Sequence, residues 1–505
     1  MATTASISVR TAILEQAARI AHSSNAHIKY LIEESESRIR SMEAQPQEAA
    51  LFEQLAQEHV AAAALRHLIA PIRTLPAELL AEIFLLATAE ERPAEPPLER
   101  SPHFKNVFWL SHVCSEWRQV AVGMPRLWTA PITVQCCGDN RPGDEIDAHF
   151  DGLKAWLANS APLCIPLCLR GDETTSRILA EVLKTAPPWR DLHLARIRPQ
   201  TFRRITEGPL ESLEVLNLLS IYGIEASDFG RAPSFPRLRK LHMATNPSFP
   251  MPWSQLTELE LFRAQGDWPE LALDILARCS ALVTVSINIA GWDAPPPPSS
   301  DPITLAYLRI LRLRKHSLNI RDEGSHLTPF LDYLSASALK ELYLSSTADT
   351  LWRESQFTAF QLRSPNMTRL EINNAFSLYM TWDNLRAALV HSPSLTHLTL
   401  NCTDDFEDTF IGALAYRDGV ESLVPRLHHL SLTTRLHHLT ADMLVGTITS
   451  RWWTDEKLAS SSASPVARWA HVQLWLLQGK FDEHFMEITK DFQEMGVLEL
   501  IQGHH

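Results

Sequence analysis

Apolar residues recur with one spacing, Leu-x-x-Leu-x-Leu, through the C-terminal two-thirds of the chain, and polar residues fill many of the positions between them. The spacing returns about ten times, and successive copies start 18 to 32 residues apart. The clearest copies are Leu213/Leu216/Leu218, Leu238/Leu241/Met243, Leu256/Leu259/Leu261, Leu282/Val285/Ile287, Leu308/Leu311/Leu313, Leu339/Leu342/Leu344, Met367/Leu370/Ile372, Leu395/Leu398/Leu400 and Leu427/Leu430/Leu432. Because alternate side chains of a strand point to opposite faces, each copy predicts a short strand that buries one face.

Helix-like stretches lie between these predicted strands, so each repeat consists of a strand followed by a helix. Internal repetition at this period is typical of leucine-rich-repeat solenoids, which have a parallel sheet on their concave side. We therefore predict an α/β fold with a solenoid over residues 150–450, closed by a C-terminal cap and tail over 451–505. The Asn that usually follows the motif occurs only as Asn246, so the solenoid is expected to be irregular.

Residues 9–70 have the 3.6-residue periodicity of amphipathic helices, interrupted by Pro46. Since proline breaks a helix interior, two helices folded back as a hairpin fit this pattern better than one long helix. The hairpin could pack on the following segment or form a dimerising coiled coil. The absence of sustained heptads favours packing and a monomeric protein.

A compact helical module is predicted over residues 71–132. Its first half reads Leu75-Pro76-x-Glu78-Leu79-Leu80-x-x-Ile83-Phe84, and its second half contains Leu110, Val113, Cys114, Trp117, Arg118, Leu127 and Trp128. Together these halves resemble an F-box, in the form found in fungal (basidiomycete-type) proteins that combine a helical leader, an F-box and degenerate leucine-rich repeats. An acidic, Pro-rich insertion at 90–106 separates the halves more than is usual.

The resemblance implies a substrate-recognition subunit of an SCF-type cullin–RING E3 ubiquitin ligase, whose F-box docks on a Skp-type adaptor and whose solenoid holds a target protein. The receptor would itself be non-catalytic, in the cytoplasm or the nucleus. Its expected adaptor-binding residues are Leu75, Pro76, Glu78, Leu79, Leu80, Ile83, Phe84, Leu110, Val113, Cys114, Trp117, Arg118, Leu127 and Trp128. The alternative is a leucine-rich-repeat binding scaffold whose F-box-like module has lost the adaptor.

Composition narrows the range of partners. The 505 residues include 46 basic and 59 acidic side chains, a net charge of −13, which disfavours nucleic acid and anionic membrane as the main partner. No apolar run reaches the roughly 20 residues of a membrane span, and no secretory leader is recognised. The seven cysteines form no metal-binding or disulfide pattern, which favours a reducing compartment.

No motif of known catalysis is present, so neither a catalytic residue nor a cofactor is predicted. The pairs His428–His429 and His437–His438 are interpreted as solvated or edge-packed histidines rather than as a metal site. The acidic run Asp404–Asp408 lacks the glycine of a calcium loop and is interpreted as solvated charge.

The target is expected on the face of the sheet that the leucines leave open. By strand alternation, this face exposes Glu258, Glu260, Phe262, Ile310, Arg312, Arg314 and Tyr343. We predict that the two glutamates and the two arginines lack partners of opposite charge. An arginine pair could then bind a carboxylate or a phosphate on the target. A solvated face whose charges only maintain solubility is equally compatible with the sequence.

Overall fold

The structure is a computed structural model. It describes residues 25–44, 49–70, 72, 75–88, 102–135, 143–171, 189–207, 210–219, 235–244, 249–262, 269–289, 292, 296–297, 301–315, 325–346, 350–373, 380–401, 408–417, 419–434, 440–452, 466–476 and 481–502. The pair His437–His438, the run 404–407 and Asn246 lie outside these ranges, as does most of the insertion at 90–106. The chain forms two compact units that divide between Ala130 and Pro131.

The N-terminal unit is helical. Its helices are α1 (Asn25–Glu43), α2 (Ala49–Leu68), α3 (Ala77–Thr88), α4 (Pro102–Val113) and α5 (Ser115–Val122), followed by a 3-10 turn over Pro125–Trp128. Helices α1 and α2 contact each other, and Pro46 lies in the chain between them. Ile28, Ile32 and Leu65 form the buried core of this pair. The Ser35 hydroxyl donates to Glu58 Oε1 across it at 2.7 Å.

Helices α3, α4 and α5 and the 3-10 turn form a small core of their own. Phe84 of α3 is fully buried, and its ring lies 4.8 Å from that of Trp117 in α5. Trp128 is also buried, and its indole Nε1 donates to the carbonyl of Ala121 at 2.7 Å, which satisfies the polar atom that burial would otherwise leave unpaired. The turn is thereby fixed against the end of α5.

The C-terminal unit is built on one parallel sheet of 14 strands. The strands are β1 (Ile132–Gln135), β2 (Leu167–Arg170), β3 (Asp191–Ala195), β4 (Val215–Leu219), β5 (Lys240–Ala244), β6 (Glu258–Phe262), β7 (Thr284–Ile289), β8 (Ile303–Thr304), β9 (Ile310–Lys315), β10 (Ser325–His326), β11 (Leu334–Ser335), β12 (Glu341–Ser346), β13 (Thr350–Leu351), β14 (Arg369–Asn373), β15 (His397–Asn401), β16 (His429–Thr434), β17 (His471–Leu476) and β18 (Leu498–Gln502). The large sheet omits β8, β10, β11 and β13, which pair in two small parallel sheets. All other strands follow in chain order, as expected when each repeat adds one strand.

Helices connect many of these strands. They are α6 (Gly143–Ser160), α7 (Pro199–Thr206), α8 (Pro269–Ala277), α9 (Thr328–Asp332), α10 (Glu354–Arg363), α11 (Trp382–Val390), α12 (Asp408–Ala413), α13 (Ala441–Ser450) and α14 (Glu483–Glu494). Burial along the strands alternates, as in β7, where Val285, Ile287 and Ile289 are buried and the residues between them are half-buried. The predicted α/β class with a long parallel sheet is therefore present. Among the described helices, none is long and apolar enough to cross a membrane.

The sheet extends beyond both ends of the predicted solenoid. Strand β1 begins at Ile132, before the predicted start at 150, and β17 and β18 continue the sheet to Gln502, beyond the predicted end at 450. Strand β17 carries the spacing as Trp469, Val472 and Leu474, with tryptophan in place of the first leucine, whereas β1 has Thr129 at that position. The segment assigned to a C-terminal cap therefore contributes two strands of the same sheet.

Polar side chains bind backbone carbonyls of neighbouring repeats, both in turns and near the end of helix α11, where a regular solenoid would use an Asn ladder. Gln255 Nε2 donates to the carbonyl of Leu238 at 3.0 Å, and Gln361 Nε2 donates to that of Ala388 at 2.6 Å. Arg451 is fully buried and donates to three carbonyls of the 423–427 turn. Because buried carbonyls without a donor are destabilising, these side chains stabilise the irregular repeats.

Candidate functional site

Helix α3 presents an apolar stripe that its own module does not bury. Leu79, Ile83 and Leu86 are 53%, 41% and 74% exposed, and their spacing places them on one side of the helix. The other side is filled, since Leu80 and Phe84 are almost completely buried. A short module that has a complete core and still exposes three large aliphatic side chains has surface available for a partner.

Helix α4 carries a second exposed apolar group. Trp109 is 69% exposed, and Phe108 and Val113 are exposed as well. Trp109 and Val113 are four residues apart, so they lie on one face of α4. Exposed tryptophan is uncommon on solvated surfaces and common at the centres of protein interfaces.

The predicted adaptor-binding residues divide into two sets. The exposed set is Pro76, Glu78, Leu79, Ile83, Val113 and Arg118; the buried or half-buried set is Leu75, Leu80, Phe84, Leu110, Cys114, Trp117, Leu127 and Trp128. Phe84, expected among the adaptor-binding residues, has no exposed surface to offer, because its side chain is 0% exposed and its ring packs on Trp117. Trp109 and Leu86, which the motif does not include, contribute exposed apolar surface instead.

Two of the motif residues have local structural roles. Cys114 is the N-cap of α5, and its Sγ accepts from the backbone N–H of Trp117 at 3.4 Å. Arg118 Nε donates to the carbonyl of Ser111 at 3.0 Å, which ties α5 to the end of α4. These contacts fix the corner between the two helices and hence the direction of the exposed α4 face.

The open face of the large sheet carries a continuous row of mostly polar residues. In register, the central row runs His193, Asn217, His242, Glu260, Ser286, Arg312, Tyr343, Glu371, Thr399, Ser431, Gln473 and Glu499. Hydrogen bonds join some neighbours, as when Ser431 Oγ donates to Gln473 Oε1 and Gln473 Nε2 donates to Glu499 Oε2, both at 2.8 Å. The row is long enough to contact an extended or folded protein surface.

The predicted absence of a partner of opposite charge is wrong for Glu258, whereas Glu260 has a histidine neighbour that carries a charge only when protonated. Glu258 Oε2 lies 2.6 Å from Lys240 Nζ, and Glu260 Oε2 lies 3.5 Å from His242 Nδ1. Both partners belong to β5, the strand that precedes the glutamates in the sheet. The two glutamates are therefore less available to form ion pairs with a target protein.

The arginine side of the predicted target site remains accessible. Arg314 is exposed, and the half-buried Arg312 guanidinium lies 4.7 Å from the ring centroid of Tyr343, a cation–π contact. Tyr343 in turn donates to Glu341 Oε2 at 2.5 Å. Ile310 and Phe262 are half-buried. The structure therefore concentrates the candidate contacts on β9 and β12 rather than spreading them to β6.

Several histidines of this unit have lowered pKa values. Burial lowers the pKa of His193 and of His397, with smaller contributions from neighbouring positive or titratable groups. For His429, burial and then His397, His428, His471 and Arg369 lower the pKa to about 4. These histidines are therefore neutral in the folded protein at pH 7.

We expect the protein to lose stability in mild acid. Between about pH 6.5, the ordinary value of histidine, and about pH 4, the unfolded chain binds a proton at His429 that the folded chain excludes. The free energy of unfolding must therefore fall as the pH falls through this window. Urea unfolding at pH 7 and pH 5 should show the loss, and His429→Gln should reduce it. His391→Gln, at an exposed histidine, serves as the control and should lose as much stability between pH 7 and pH 5 as the wild type. If His429→Gln also loses as much stability as the wild type, His429 is not the cause of the acid sensitivity.

Comparison with known proteins gives no family assignment. No protein-family model matches the chain, and no curated protein matches it. The residues and geometry described above are therefore the basis for a functional proposal.

Proposed function

We propose that the chain is the substrate receptor of a cullin–RING ubiquitin ligase, with an F-box that binds a Skp-type adaptor and leucine-rich repeats that bind the target. The motif of residues 75–84 and 110–128 supports the F-box assignment. The observation that carries the proposal is the exposed stripe Leu79, Ile83 and Leu86 on a module whose own core is already filled. An adaptor groove that buried this stripe would gain about 1.5–3 kcal/mol for each large side chain.

The sheet supports the second half of the proposal. Repeated strand units generate a continuous open face, and proteins of this architecture use such faces to bind other proteins. Here the face carries Arg312, Arg314 and Tyr343 side by side on β9 and β12. Arginine and tyrosine are enriched among residues that dominate binding energy at interfaces. An acidic or phosphorylated target segment fits these side chains best.

A binding scaffold without ligase function is the second candidate. The exposure of Trp109 does not by itself distinguish the ligase receptor from the scaffold, because any partner with an apolar surface would bury this side chain. The two functions differ in whether the adaptor and cullin accompany the protein.

Affinity capture of the full chain followed by mass spectrometry tests the proposal. The wild type should recover a Skp-type adaptor, a cullin and a target. Leu79→Glu/Ile83→Glu should lose the adaptor and cullin but keep the target. Arg312→Glu/Arg314→Glu should lose the target but keep the adaptor, whereas Arg386→Glu, on exposed α11 surface, should lose neither.

Each outcome separates the candidates, provided that circular dichroism shows each variant folded. If the wild type recovers a target but neither adaptor nor cullin, the scaffold function is supported and the ligase function is wrong. If the Arg312→Glu/Arg314→Glu variant recovers its target at wild-type yield, recognition does not use β9.

A further inference from the structure

Three histidines meet on the open face of β15 and β16. His397 and His429 are register partners on the two strands, and His428 directly precedes β16. One ring nitrogen of each histidine lies within 4.8 Å of the others. We refer to His397, His428 and His429 as the histidine cluster.

Hydrogen bonds fix the tautomers of two of these rings. His428 Nδ1 lies 3.1 Å from the carbonyl of Arg426, and a carbonyl can only accept, so Nδ1 carries the proton. Thr396 Oγ1 donates its one hydrogen to the carbonyl of Thr368 at 2.9 Å, so it accepts from His397 Nδ1, also at 2.9 Å. Both rings therefore keep a lone pair on Nε2.

This arrangement is the one that metal-binding histidines require. A ligating imidazole commonly donates its other N–H to a protein oxygen, which orients the ring and raises its basicity. Within the described residues, His429 Nδ1 is buried without a hydrogen-bond partner, so this ring also has an uncommitted nitrogen.

We propose that the histidine cluster binds a divalent late transition-metal ion of the Zn²⁺ class through three imidazole nitrogens. Neutral imidazoles without thiolates suit Zn²⁺ or Cu²⁺ and disfavour Mg²⁺ and Ca²⁺. Water or an atom of a bound partner would complete a tetrahedral ion with three protein ligands. The proposal is independent of the ubiquitin-ligase function.

Binding requires a small rearrangement of the rings. His397 and His429 stack at 4.3 Å with an interplanar angle of 11°, and lone pairs lie in the ring planes, so one ring must rotate to aim at a shared ion. Zn–N bonds of about 2.0–2.1 Å place ligand nitrogens about 3.3 Å apart in a tetrahedron. The torsion that turns a histidine ring has a broad, shallow profile, so this rotation is accessible.

The charged groups near the cluster act in opposite directions. Arg369 of β14 is the register partner of His397, and its positive charge opposes a cation at the cluster. Glu341 of β12 is the register partner of Arg369, and its negative charge favours a cation. His471, whose Nε2 is 3.4 Å from Glu499 Oε2, lies beside His429 on β17, with 6.2 Å between the ring centroids.

Calorimetric titration of the full chain with Zn²⁺ tests the proposal. The wild type and the control His391→Ala should bind one ion tightly, beyond any weak binding at other histidines. His429→Ala should lose this step, which means a decrease in affinity greater than the roughly 10–100-fold expected for an outer-shell change. Thr396→Val, which removes the acceptor of His397 Nδ1, should lower affinity by that roughly 10–100-fold.

Equal one-to-one binding by the wild type and His429→Ala would overturn the proposal, as would the absence of a tight step in the wild type. X-ray absorption of the wild-type Zn²⁺ complex provides a test that does not depend on how well the variants fold. We expect three imidazole nitrogens at about 2.0–2.1 Å from zinc. A first shell with one imidazole or none would also overturn the proposal.

Discussion

Replacing both Leu79 and Ile83 with Ala in the full chain is expected to weaken binding to a Skp-type adaptor at least about tenfold while leaving the fold intact. Both side chains are exposed, so their truncation removes little from the core of the module. Truncation of one well-packed interface anchor typically costs about 1–4 kcal/mol, and about 1.4 kcal/mol is a factor of ten in affinity. Surface plasmon resonance with immobilised adaptor measures the change.

The same helix provides the matched control. Leu80 and Phe84 are buried, so Phe84→Ala should lower the free energy of unfolding by about 3–5 kcal/mol through cavity formation. Leu79→Ala/Ile83→Ala should lower it by far less. If the double variant binds the adaptor with wild-type affinity, the exposed stripe is not the adaptor surface. If it unfolds as readily as Phe84→Ala, the stripe is part of a core.

Replacing Arg451 with Met is expected to lower the free energy of unfolding of the C-terminal unit by about 3–5 kcal/mol, because three buried carbonyls lose their donors. The guanidinium is fully buried, lies 5.0 Å from the centroid of the Trp469 ring, and donates to the carbonyls of Leu423, Val424 and Leu427. Val424 has a positive φ of 44°, a strained conformation for a β-branched residue, and Arg451 holds its carbonyl. Removing these donors leaves the turn without its support.

Burial lowers the pKa of Arg451 to about 10, so the side chain stays charged at neutral pH and the folded protein contains a buried cation. Substitution by methionine removes the buried charge, which is favourable. It also leaves three buried carbonyls without hydrogen-bond donors, and each unpaired carbonyl lowers the stability by about 1–3 kcal/mol. Urea unfolding together with hydrogen exchange over residues 421–452 measures the effect. Arg386→Met, at an exposed site, should change stability by less than about 0.5 kcal/mol. A similarly small change in Arg451→Met would contradict the proposed role.

The strands were predictable because their buried faces repeat. Leu311 and Leu313 of β9 align with Leu342 and Leu344 of β12, as the common spacing of apolar residues requires. Strand β17 was not predicted because its copy of the spacing begins with Trp469 rather than with leucine, and β1 was not assigned to the sheet because it carries only part of the spacing. Their place in the sheet depends on pairing with neighbouring strands, and the residues of one strand alone do not show which strands it pairs with.

The periodicity of apolar residues does not show which face of a helix packs on its own core or which residues of neighbouring strands come into contact, and the candidate sites depend on both. Helical spacing in α3 identifies two faces but not which one meets the module's own core, so Phe84 was assigned to the surface although it is buried. Likewise, strand alternation places Glu258 on the open face but does not show that it pairs with Lys240 on the preceding strand. The histidine cluster joins residues about 30 positions apart in sequence, and only the β15–β16 register brings them together.

The most direct test of the proposed function is a calorimetric titration of the full chain with a purified Skp-type adaptor. We expect saturable one-to-one binding with a Kd of about 1 μM or lower, equivalent to a binding free energy of roughly 8 kcal/mol. The heat-capacity change of binding should be negative, because the exposed apolar side chains of α3 become buried. A folded wild-type chain that shows no binding at adaptor concentrations far above this Kd would contradict the account.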